Sequence, residues 1–205
     1  MLLQRIQQQF IDSADLKYQC AQAIAPAVEN AIQAVLASVT GGGKVLACGN
    51  GASAAAAQHF AASFIGRYER ERPELAALSL SADAAVLSGL ANDFDARAVY
   101  SRQVRALGHA GDVLLALSTT GNSANMLAAV EAAHEREMTV VALTGGRGGR
   151  LAQMLRDTDV HVCVPHELPA RILEVHHLVL HCICDGVDAQ LLGLPDAPIP
   201  EQENP

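Results

Sequence analysis

The chain has 205 residues, half of them apolar, with 3% aromatics and no Trp; that length suits one domain with a sizeable core, built here from Ala, Leu and Val. A formal charge of −8 argues against broad contact with a phosphate backbone and so against direct nucleic-acid binding. No apolar stretch reaches membrane-spanning length and no charged-then-apolar leader opens the chain, so a cytoplasmic protein without membrane contact is expected.

Residues 2 to about 38 carry apolar side chains at three- and four-residue spacing and no glycine, a helical pattern that Pro26 divides in two. Gly41-Gly42-Gly43 ends it. Lys44 to Cys48 is then a short apolar run bounded by glycine, as in a buried parallel strand. Similar runs recur at Ala76 to Leu80, Asp112 to Leu117, Thr139 to Leu143 and Val160 to Val164. Helical stretches separate them at Ser53 to Gly66, Asp83 to Leu90, Arg97 to Leu107, Ser123 to Glu137 and Gly149 to Leu155. A last helix is predicted from Ala170 to Leu192, with an irregular tail after Gly193. Strand–helix alternation with buried strands implies an α/β fold, a parallel sheet covered on both faces. The five cysteines are odd in number and lie mostly in apolar runs, as buried reduced thiols do.

Ligands of such sheets bind beyond the carboxyl ends of the strands, and two loops there stand out. Ser118-Thr119-Thr120-Gly121-Asn122-Ser123 places four hydroxyls and a glycine where a strand hands over to a helix. The first N–H groups of a helix lack internal partners and carry partial positive charge, so added hydroxyl donors make a phosphate cradle. No Lys follows, which separates the loop from the G-x-x-x-x-G-K-[ST] nucleotide pattern. The alternative is an ordinary N-cap at Ser123. Cys48-Gly49-Asn50-Gly51-Ala52-Ser53 ends the first strand with glycines that let a backbone approach a ligand. Asn92-Asp93 is either a turn or a source of contacts to a hydroxylated ligand.

These loops, with Gln58-His59-Phe60, Glu71-Arg72-Pro73, Ala91-Asn92-Asp93, Gly111 to Leu115, Val141 to Gly145 and Ala170-Arg171-Ile172-x-Glu174-x-His176, resemble the SIS (sugar isomerase) domain family. Within it they resemble the branch holding the phosphoheptose isomerases and the DnaA initiator-associating protein DiaA. The resemblance covers nearly the whole chain and implies one SIS domain. That domain is a three-layer sandwich with a five-stranded parallel sheet, comprising a helical arm (1–40), a core (41–192) and a tail (193–205). The arm would pack subunits into a homotetramer with sites at subunit interfaces. The implied ligand is a phosphosugar such as sedoheptulose 7-phosphate, with Ser53, Ser118, Thr119, Thr120 and Ser123 on the phosphate and Asn50 and Asp93 near the sugar.

The resemblance also marks departures. Where phosphoheptose isomerases place a Glu, this chain has Ser63, and where they place a Gln it has Leu173; the histidine near the chain end is kept as His181. A serine hydroxyl has no accessible pKa for removing a proton from carbon. Of the family's zinc positions only His59 and His181 remain ligands, against the four that structural zinc takes; Glu174 or His177 could complete a weaker site. DiaA-type proteins share Ala61-Ala62-Ser63, so the resemblance implies foremost a tetrameric, phosphosugar-binding adaptor for the initiator DnaA, with isomerase activity absent or weak. Leu191 and Leu192, apolar at the end of the last helix, would meet that partner, or pack against another subunit. The alternative is a phosphoheptose isomerase serving lipopolysaccharide core synthesis.

Overall fold

The computed structural model describes residues 1–193. The elements run α1 (Leu2–Ala23), α2 (Ala25–Thr40), β1 (Val45–Gly49), α3 (Ala52–Ile65), β2 (Ala77–Ser79), α4 (Ala84–Asp93), α5 (Ala98–Leu107), β3 (Val113–Ser118), α6 (Ala124–Glu135), β4 (Thr139–Gly145), α7 (Gly149–Met154), β5 (Val160–Val164) and α8 (Pro169–Leu192). The five strands form one sheet in the order β2-β1-β3-β4-β5, every pairing parallel. The fold is the α/β sandwich that the alternating pattern and the family resemblance led us to expect.

Alternate side chains on each strand face opposite helical layers. Val45, Ala47, Leu115 and Leu143 pack against α1, α2, α3 and α8; Leu46, Cys48, Leu114 and Ala116 pack against α5, α6 and α7. β1 is therefore followed by a helix on one face and its neighbour β3 by a helix on the other. That reversal opens a crevice between β1 and β3 at their carboxyl ends, where doubly wound sheets bind ligands.

Some boundaries differ from the sequence expectation. The division near Pro26 falls at Ile24, which puts the proline in the first turn of α2, where its missing N–H costs nothing. α4 runs on to Asp93 instead of stopping at Leu90, because Asp83 caps its start by accepting from the Ala85 and Val86 N–H groups and no breaker follows. Asn92 and Asp93 thus lie on the last helical turn. β2 is reduced to three residues, as suits a sheet edge. The expected tail falls outside the described residues from 194 onward. No single described helix is long and apolar enough to cross a membrane.

Candidate functional site

β1 and β3 pair directly, with Gly49 opposite Leu117, so the two glycine-containing loops leave the sheet side by side. In the 118–123 loop, Ser118 Oγ accepts the Gly121 N–H at 3.1 Å and Thr120 Oγ1 accepts the Asn122 N–H at 3.3 Å. Each hydroxyl spends an acceptor and keeps its own O–H to donate. Ser123 is the N-cap of α6, yet its side chain makes no capping hydrogen bond. The hydroxyl that an ordinary cap would commit to the helix is available to a ligand.

The loop is held from behind by the start of α7. The Leu151 N–H donates to Gly121 O at 2.9 Å, and the Arg150 N–H to Asn122 Oδ1 at 3.0 Å. Gly121 adopts φ +64°, and a Cβ there would come within 1.9 Å of Gly148 O. Beyond this contact a cavity of about 360 Å³ is lined by Thr119, Thr120, Asn122, Gly146, Arg147 and Glu167, among others.

On the first loop, Ser53 is buried in the opening turn of α3. Asn50 is committed elsewhere. Its carboxamide exchanges two hydrogen bonds with that of Asn125, at 2.9 and 2.8 Å, and Tyr100 donates to its Oδ1 at 3.3 Å. Asn50 therefore ties the first loop to α6, and a sugar would have to displace that pair to reach it. Asp93 is exposed on α4, where its carboxylate accepts from Asn92 at 2.9 Å.

The titratable centre lies between α3 and α8. His59 Nε2 and His181 Nε2 are 3.0 Å apart, so one ring donates to the other. Tyr68 lays its ring 5.5 Å from that of His181, and His177 stands 6.2 Å from His59 between ring centroids. The His177 Nδ1–H donates to Leu173 O at 2.9 Å, because a carbonyl can only accept. Burial, then the neighbouring His59 and His177, push the His181 pKa below the ordinary histidine value, so its ring is neutral near pH 7. Ser63 is buried one turn from His59, and its hydroxyl donates to the His59 carbonyl at 3.0 Å.

This donor set does not fit a four-coordinate zinc ion. Two imidazoles remain, bonded to each other; Ser63 is turned onto its own helix and Leu173 offers no ligand atom. Among the described residues no cluster of three or more His, Cys, Asp or Glu comes together in a metal-holding arrangement.

Asn125, Tyr100 and Tyr68 escaped sequence reasoning. Asn125 sits in the first turn of α6 directly after the hydroxyl loop, which could have marked it; the two tyrosines carry no local signal. Leu191 and Leu192 are each 39% exposed at the end of α8.

Comparison with known proteins bears on the whole chain. The SIS domain profile matches residues 9–145. The phosphoheptose isomerase of Methylibium petroleiphilum is 61% identical over 196 residues, covering 96% of this chain and 98% of that protein. The phosphoheptose isomerase of Azoarcus sp. is 56% identical over 193 residues, covering 94% and 98%. The solved structure of phosphoheptose isomerase GmhA from Neisseria gonorrhoeae is 47% identical, with a TM-score of 0.88 over 92% of this chain and all of that one. These likenesses overturn the expectation of a DnaA-binding adaptor, and with it the reading of Leu191 and Leu192 as its contact. That expectation weighed Ser63 and Leu173 above the rest of the chain. Identity sustained over almost every element follows the isomerases instead.

Proposed function

We propose that this chain, which belongs to the SIS domain family, is a phosphoheptose isomerase that interconverts sedoheptulose 7-phosphate and glycero-manno-heptose 7-phosphate. The observation that carries the reading is the near-full-length identity to proteins of that name. The site chemistry supports it. The hydroxyls of Ser118, Thr119, Thr120 and Ser123, with Ser53 across the crevice, donate to the phosphate at the positive end of α6.

Moving a proton between neighbouring carbons needs a base that is unprotonated at working pH and can return what it takes. Ser63 cannot serve. His181 can: its depressed pKa keeps the ring neutral, and His59 is already in hydrogen-bond contact with it. His181 takes the proton from one carbon and returns it to the next, and His59 passes the hydroxyl proton from the one oxygen to its neighbour. Carbonyl and hydroxyl so exchange places while the phosphate loop fixes the chain of the sugar. Subunits assemble as a homotetramer through the apolar face of α1. That face leaves Leu2, Leu3, Ile6, Phe10 and Ile11 between 46% and 74% exposed in the single chain.

The test is turnover of sedoheptulose 7-phosphate by purified protein, followed by product analysis. Formation of the aldose phosphate that disappears in His181→Asn is expected; no product above the uncatalysed background would overturn the reading.

A further inference from the structure

Arg72 lies in the segment joining α3 to β2, and its side chain is completely buried. Its Nη2 donates to Ser63 O at 2.9 Å and its Nη1 to Phe64 O at 2.8 Å and Pro73 O at 3.2 Å. Its Nε donates to Asp188 Oδ1 at 2.6 Å. Ser63 and Phe64 belong to the last turn of α3, where helix carbonyls have no partner of their own and a positive charge is favoured. Asp188 lies on α8, seven residues beyond His181, a spacing that keeps both on one face of the helix. His59 is one turn before Ser63.

The two helices are thus joined twice along one seam, by the histidine pair and, at the end of α3, by the guanidinium. The same segment brings Tyr68 against His181. A planar fork with fixed donors can span two carbonyls and a carboxylate in one geometry, which an ammonium cannot.

We propose that Arg72 is a positioning residue: by clamping the C-terminal carbonyls of α3 to Asp188 of α8, it sets the contact between His59 and His181. The consequence for turnover rests on the isomerase reading above; the clamp itself does not.

Removing the arginine alone would strand a buried carboxylate, since Asp188 Oδ2 is buried without a partner among the described residues. The decisive variant therefore replaces both charges, Arg72→Met with Asp188→Leu, beside Arg72→Lys as the conservative change. The pair variant should fold and bind inorganic phosphate with unchanged Kd. Its imidazole NMR spectrum, recorded at low temperature, should lose the ring N–H signal of the His59–His181 bond. Its kcat should fall about tenfold to a hundredfold at constant KM, as small misplacements of reacting groups do. Arg72→Lys should keep the fold and retain part of the rate.

A folded pair variant that keeps the ring N–H signal overturns the clamp, whatever its rate. If the wild type shows the signal and no turnover, the isomerase reading fails while the NMR comparison still decides the clamp. If the pair variant loses phosphate binding together with the signal, the change is a general collapse of the site and the positioning role is refuted.

Discussion

Ser118 and Thr120 each accept a loop N–H and keep a proton to give, and Ser123 occupies a capping position without capping. All three hydroxyls therefore retain a proton that no bond within the loop uses. Replacing Ser118 and Ser123 with Ala removes two donors to a charged acceptor, each worth about 1.5–3 kcal/mol. Calorimetry with a phosphosugar should show the corresponding loss of affinity, and equal Kd values would remove the loop from the site.

His181→Asn keeps a polar side chain of similar size but has no basic nitrogen. It should lower kcat by about 10²–10⁴ with KM little changed. Because the His181 pKa lies below the ordinary histidine value, wild-type kcat should be flat near pH 7 and fall only at more acidic pH, as the base takes up its proton. A rate that falls as pH rises through neutrality would contradict a neutral histidine base.

His176 is fully buried, donates Nε2–H to Thr144 O at 3.0 Å and leaves Nδ1 without a partner, and burial lowers its pKa from 6.5 to about 4. Between those values the unfolded chain binds a proton that the folded one refuses. Stability is therefore retained above pH 6.5 and lost as pH falls towards 4, by about 3 kcal/mol in all. Urea unfolding at a series of pH values should show this slope, and His176→Gln should flatten it.

At the scale of elements, the hydroxyl loop depends on α7 for its shape. Gly121 occupies the left-handed region, and any side chain there would strike the Gly148 carbonyl. Gly121→Ala should destabilise the fold by about 1–3 kcal/mol through backbone strain, with the clash adding to it. Phosphate affinity should fall as well, because the loop and the start of α7 must separate. A thermal melt and phosphate titration matching wild type would show that the loop tolerates another path. The sheet has a comparable dependence: the crevice exists because β1 sends its helix to one layer and β3 to the other, so site and topology cannot be separated.

For the whole molecule, α1 is the element least explained by a single chain. Only Leu16 and Cys20 are buried along its 22 residues, while Leu3, Ile6 and Phe10 form an exposed stripe at helical spacing. The proposed homotetramer would cover that face with another copy of the chain. Light scattering should give a tetramer, and Ile6→Asp with Phe10→Asp should dissociate it without unfolding the sheet. A wild-type monomer at micromolar concentration would refute the assembly and the placement of any site between subunits.

Strand and helix order, the parallel sheet, and the meeting of hydroxyls and glycines at strand ends were all legible in the residues. Each is written in short-range patterns: the apolar run of a strand covered on both faces, the three- and four-residue spacing of a helix, the glycine that permits a turn. The same locality explains what misled. Ser63 and Leu173 are local departures, and weighed alone they suggested a silent adaptor, where likeness along the whole chain indicates the isomerases. Tertiary structure alone decided the contacts that give the site its character. Asn50 meets Asn125 across 75 positions, Arg72 meets Asp188 across 116, and His59 meets His181 across 122. Nothing in the neighbourhood of either partner announces such a pair, because it follows from how helices and their connecting loops are set on the sheet, and that is fixed by the packing of the entire core.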